Sequence, residues 1–191
     1  MKKTMTLIQK SALCLGVLYM PLYLPACAVK PASELDNPEY HHKAGMRHVE
    51  MRQYEEALTS FQRAVDLDKK FAPAYAGMGI THANLKNKKE AKKYAAKAEG
   101  LASKDADVLT LCARVWIDLR GQEKKWHKGA EKLLKKALKR KKNHEGATYY
   151  TGEVYLYQYK FSEAENQFRM VVEMKGDYSG RADKMWQTSQ K

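Results

Sequence analysis

Between Asn37 and the C-terminus the apolar positions follow a helical rhythm. In YEEALTSFQRAV, Ala57, Phe61 and Ala64 stand four and three residues apart, the spacing that gathers side chains on one face of a helix. The same steps recur at Ala91, Ala95 and Ala98, at Ala130, Leu134 and Ala137, and at Ala164, Phe168 and Val171. Proline nearly vanishes after Pro38, with only Pro73 following, and the chain is rich in Ala, Lys, Glu and Leu. This pattern predicts an all-α chain. Asn37 supplies a cap, and Pro38 a first residue, for the first helix.

The helices come in a repeated pair. Four segments, beginning at Tyr40, Ala74, Val108 and Ala147, align with the small residues Gly45, Gly79, Ala113 and Gly152 at one position. Gly45 and Gly79 are 34 residues apart, as are Gly79 and Ala113; Ala113 to Gly152 takes 39, so the third copy carries five extra residues. Each copy reads as two antiparallel helices. The glycines let the two backbones approach, Ala57 and Ala64 keep the second helix slim, and Phe61 or Phe168 fills the wedge between copies. One pair cannot bury its apolar face alone, so the copies must stack. After Gly176, Tyr178, Ala182 and Met185 share one face of a last helix that caps the stack.

Over about residues 38–176 this period and this small–Ala–aromatic pattern resemble the tetratricopeptide repeat. The chain departs from the pattern near each start, at His41, Tyr75, Leu109 and Thr148, and where a closing proline is replaced by Lys69, Ser103, Lys142 and Gly176. The resemblance implies an all-α, right-handed superhelical solenoid. Its four hairpins would span 38–70, 71–104, 105–143 and 144–176, with a capping helix at 177–191. It also implies a non-catalytic interaction scaffold, in which the first helix of each pair builds a concave groove for a partner protein or peptide segment. One face away from the packing stripe, the expected contacts are His42, Met46 and Glu50, then Ile80 and Asn84, then Arg114, Ile117 and Asp118, and last Tyr149, Glu153 and Tyr157. Apolar pockets and a few hydrogen bonds would hold the segment. One subclass of the family clamps a terminal carboxylate with lysines, asparagines and an arginine. Here only Asn84 and Arg114 have that chemistry, so that specificity is not expected. Tyr155 aligns with His48, His82 and Trp116 on the packing stripe and reads as core.

The first 26 residues do not share this rhythm. Lys2, Lys3 and Lys10 precede an apolar run from Ser11 to Leu24, too short for a span of roughly 20 residues and interrupted by Pro21. A charged start, a short apolar middle and a small-residue exit describe a cleavable export signal. Leu24-Pro25-Ala26-Cys27 resembles the lipobox of bacterial lipoproteins, with Pro25 departing from the small residue usual there. That resemblance implies a lipid anchor on Cys27 and a polar tether over 27–37. It places the protein at the cell envelope, facing the periplasm and held to the outer membrane. The alternative is plain cleavage after Ala28, leaving a soluble periplasmic or secreted chain. Cys112 is the one free thiol under either reading, so no disulfide framework is expected.

Net charge is +13, and losing residues 1–26 removes three lysines and no acid, leaving +10. The excess is concentrated at Lys88, Lys89, Lys92, Lys93 and Lys97, and again from Lys128 through Lys132, Lys135, Lys136 and Lys139 to Arg140, Lys141 and Lys142. These fall on the convex side, as a solvated face or as a surface for anionic headgroups or glycans. An exported chain seldom meets nucleic acid, and none is expected as a partner. In the inserted stretch 120–127, Trp126 is expected to lie back on its hairpin. No catalytic set, metal site or cofactor is expected: the six histidines lack metal-ligand spacing, and Gly77-Met78-Gly79 lacks the third glycine and preceding strand of a phosphate loop.

Overall fold

The computed structural model describes residues 36–189; the expected export leader, Cys27 and the tether up to residue 35 lie outside them. Every regular element among the described residues is a helix. In chain order these are α1 Pro38–Glu50, α2 Tyr54–Leu67, α3 Ala72–Asn84, α4 Lys88–Leu101, α5 Ala106–Asp118, α6 Trp126–Arg140, α7 Glu145–Tyr157, α8 Phe161–Met174 and α9 Ser179–Ser189. Successive pairs pack as hairpins, the hairpins stack in series, and α9 lies on α8. The expected solenoid of four hairpins and a cap is the observed fold. None of these helices is long and apolar enough to cross a membrane.

Local chemistry explains the element ends. Asn37 caps α1, its side chain accepting from the Tyr40 amide at 2.8 Å, and Pro38 opens the first turn. Within hairpins one, two and four, a single left-handed residue turns the chain: Arg52, Lys86 and Tyr159, with φ of 60°, 64° and 62°. The next amide bonds back to the first helix each time: Gln53 to His48 O at 2.9 Å, Asn87 to His82 O at 2.8 Å, and Lys160 to Tyr155 O at 2.9 Å. The third hairpin replaces this turn with its five extra residues. There the Gln122 and Glu123 amides share Leu119 O, at 2.8 and 2.9 Å, before α6 begins.

The core follows the small residues. Phe61 is fully buried between two copies, and a Cβ on Gly45 or Gly77 would stand 2.6 or 2.4 Å from its ring. Burying such a ring stabilises by about 3 kcal/mol, so both glycines are needed to make room for it. Phe168 repeats the arrangement against Gly152, at 2.7 Å. At the C-terminus Ala182 is buried, and Tyr178, Met185 and Trp186 pack against the core. Trp186 Nε1 donates to Glu165 at 3.3 Å, which ties α9 to α8.

Candidate functional site

The first helices α1, α3, α5 and α7 lie side by side and form the inner wall of the stack. A cavity of about 250 Å³ opens there, lined by Asn84, Arg114, Ile117, Asp118, Arg120, Tyr149, Tyr150, Glu153, Tyr157 and Arg181. Its polar groups form a chain. Asn84 Nδ2 donates to Ile80 O at 2.9 Å and to Asp118 Oδ2 at 3.3 Å, so α3 is joined to α5. Arg114 Nε lies 3.8 Å from Asp118 Oδ2, one helical turn on. The Tyr149 hydroxyl donates to Glu153 Oε1 at 3.1 Å along α7. Arg120, from the inserted segment, sets its guanidinium 4.3 Å from the centre of the Tyr157 ring. Trp126 is half-buried against the core and meets the same ring of the fourth hairpin edge-on at 6.1 Å.

Electrostatics here is governed by cover. The side chains of Arg114 and Asp118 are only 17% and 20% exposed. Burial raises the Asp118 carboxyl above the usual carboxylate range, against the opposing pull of Arg114, Arg120 and Asn84. Burial likewise raises Glu153, opposed by the hydrogen bond from Tyr149. A wall of this kind offers donors and acceptors in a partly desolvated setting, where each hydrogen bond to an incoming chain counts for more than in water.

Several residues expected on the open surface present little of themselves, although Ile117 and Tyr149 do line the cavity. Ile80 is fully buried, Ile117 is 2% exposed and Tyr149 6%. The cause is that α3 and α5 are flanked by neighbouring helices, which leaves their aliphatic side chains no outlet. His42 is packed between the rings of Phe61 and Phe71, at 5.8 and 6.0 Å, with a buried and unpartnered Nε2. Burial lowers its pKa to about 4. Met46 is half-buried against the core. Glu50 is exposed but engaged: it pairs with Arg181 of α9, 131 residues away. The expected apolar pockets are therefore replaced by a polar wall of Asn84, Arg114, Asp118, Glu153 and Tyr157. Sequence reasoning missed Arg120, Tyr150 and Arg181. Arg181 carried a faint signal, standing beside the packing residue Ala182.

Tyr155 is half-buried on the other side of the stack, beneath Lys160. Cys112 is buried, its thiol donating to Ala95 O at 3.4 Å, and burial pushes its pKa up to about 12. That is the setting of an inert thiol. His144 caps α7, its Nδ1 accepting from the Ala147 amide at 3.1 Å while Nε2 faces Asp107 at 2.9 Å. Among the described residues no group of three or more His, Cys, Asp or Glu is placed to hold a metal ion.

Comparison with known proteins agrees with this architecture. Residues 48–115 match a family model described as tetratricopeptide repeat. No curated protein matches the chain. Among solved structures it is similar to a thermophilic TPR protein of Thermus thermophilus, with a TM-score of 0.61 at 17% identity over 72% of this chain and 74% of that one. It is also similar to MamA of AMB-1, with a TM-score of 0.52 at 15% identity over 78% of this chain and 85% of the other. At these identities the likeness is one of fold. Residues 48–115 thus carry the tetratricopeptide-repeat pattern, and the same hairpin geometry continues beyond them through α8.

Proposed function

We propose that this protein is an interaction scaffold of the bacterial cell envelope, exported by its leader and tethered through Cys27, which holds a segment of a partner protein against its inner wall during assembly of an outer-membrane or pilus complex. The observation that carries the reading is the cavity that gathers Asn84, Arg114, Asp118, Glu153 and Tyr157 from three consecutive hairpins. The repeat family supports the scaffold role, and the charged start with the Leu24-Pro25-Ala26-Cys27 exit supports the address. The polar lining favours an extended segment, whose own backbone groups pair with it, over an apolar helix.

A photo-crosslinking residue placed at Tyr157 tests this in cells. It should give a discrete protein adduct in the envelope fraction, absent when the same residue replaces Lys132 on the outer face. An adduct that is the same from both positions, or no adduct from Tyr157, would count against the wall. Mass spectrometry of the mature N-terminus tests the tether separately: diacylglycerol on Cys27 is the expected result, and an unmodified N-terminus at Val29 would remove the anchor.

A further inference from the structure

The lysines of the convex face divide into two sets. Those of α4 are compensated, Lys89 excepted. Lys88 and Lys92 reach Glu123 at 3.6 and 3.0 Å, Lys93 reaches Glu90 at 3.0 Å, and Lys97 sits 3.9 Å from the centre of the Tyr75 ring. On α6, Lys136 pairs back to Glu99 of α4 at 2.6 Å. Lys128, Lys132, Lys135 and Lys139 are different: all four are exposed, and none of their side chains makes an ion pair or hydrogen bond among the described residues. At about 100° and 1.5 Å per residue they fall within an arc of about 60° and run about 16 Å along the helix. The opposite side of α6, at Ala130, Leu133, Leu134 and Ala137, is buried. Exposed Arg140, Lys141 and Lys142 add further cations at the C-terminal end of α6, off the row itself.

The turn between α7 and α8 borders this row. Gln158 Nε2 donates to Glu131 of α6 at 2.8 Å, and Lys160 and Lys135 line one cleft of about 400 Å³ between α6 and α8. On either side of Lys160, Tyr159 is 81% exposed and Phe161 50%, their rings edge-to-face at 6.3 Å. The two touching rings form a small exposed aromatic patch beside Lys160.

We propose that this face docks on a bilayer surface carrying anionic lipid, the α6 row meeting the headgroups and Tyr159 and Phe161 entering the interfacial layer. Charge complementarity names the occupant: four uncompensated ammonium groups in line, with the one carboxylate of α6, Glu131, already engaged by Gln158. A flanking aromatic pair suits the headgroup region, where an amphipathic ring keeps one end wet and the other apolar. A nucleic acid would answer the same charges but gives the exposed aromatic pair no apolar layer to enter. The proposal is independent of the inner wall, which faces the other way.

Full-length protein carrying Cys27→Ser, so that no acyl chain contributes, should co-sediment with phosphatidylcholine vesicles that contain phosphatidylglycerol and not with those that lack it. Binding should weaken as salt rises from low to physiological strength. Lys132→Gln, Lys135→Gln and Lys139→Gln should each lower partitioning roughly fivefold, whereas Lys88→Gln and Lys93→Gln should leave it within a factor of about 2. Phe161→Ser should weaken binding without altering its salt dependence. Equal losses from the two lysine sets, or no requirement for phosphatidylglycerol, would overturn the proposal. So would tighter binding to a single-stranded oligonucleotide than to the vesicles at the same salt. Circular dichroism on each variant separates loss of binding from loss of fold.

Discussion

The inner wall and the outer face of this stack use the same kinds of charge under opposite conditions. On the wall, Arg114, Asp118 and Glu153 are largely covered; Arg114 and Asp118 face each other, and Glu153 takes its hydrogen bond from Tyr149. On the outer face, Lys128, Lys132, Lys135 and Lys139 stand in solvent with no partner among the described residues. The difference teaches that a charged residue costs or contributes according to its cover, not its type. A covered charge is a fixed structural commitment, costly to orphan. An exposed one is nearly free and remains available to something outside.

The most direct way to break this comparison is to remove one cation from each side. Arg114→Met leaves Asp118 and Glu153 buried beside a missing countercharge, and should cost about 3 kcal/mol in denaturant unfolding. Lys132→Met should stay within about 0.5 kcal/mol. Equal costs would erase the distinction.

A titration sharpens it next. His42 has its pKa lowered to about 4 by burial, against a reference of 6.5, so the unfolded chain binds the proton first. Its contribution is therefore present above pH 6.5 and lost as pH falls toward 4, by about 3 kcal/mol in all. Asp118 and Glu153 act with the opposite sign. Their raised values mean the folded state holds those protons more firmly, so their share of stability grows as pH falls through the folded pKa and fades as pH rises. Urea midpoints across acid pH should thus drop in the wild type and drop much less in His42→Phe, which keeps the contacts with Phe61 and Phe71 without the unpartnered nitrogen. If the two proteins lose stability in parallel, His42 is not the acid-sensitive group.

The smallest effect belongs to the pair that joins the two ends of the stack. Glu50 and Arg181 are each about half exposed. Glu50→Ala should therefore cost about 0.5 kcal/mol and vanish into the baseline at high salt. A loss several times larger would mean that the pair closes the wall rather than decorating its rim.

Much of the scaffold could be read before the structure. Gly45, Phe61 and Gly152 announced the tight crossings, because a helix pair this close leaves room for a ring only where a Cβ is missing. Asn37-Pro38 announced the first helix, because an amide acceptor followed by a proline satisfies an opening turn locally. The five added residues in the third copy announced a different turn, and Arg120 and Trp126 came from it. The site itself was less readable. Ile80, Ile117 and Tyr149 follow the right helical phase for the inner wall, but phase says nothing of how closely the next helix stands. Nor does any local pattern foretell that Arg181 meets Glu50, or that Glu123 and Glu99 neutralise lysines of neighbouring helices while the α6 row is left alone.

By itself, then, the sequence determined that this chain is helical, that its helices pair, and that the pairs repeat with one lengthened member. Those are consequences of spacings of three and four residues and of side-chain size, and they act within a single turn or a single crossing. Only the tertiary structure decided which charges are enclosed and which are free. That outcome depends on the distance between helices separated by 34 residues or more, where packing and curvature, not local periodicity, set how much water remains.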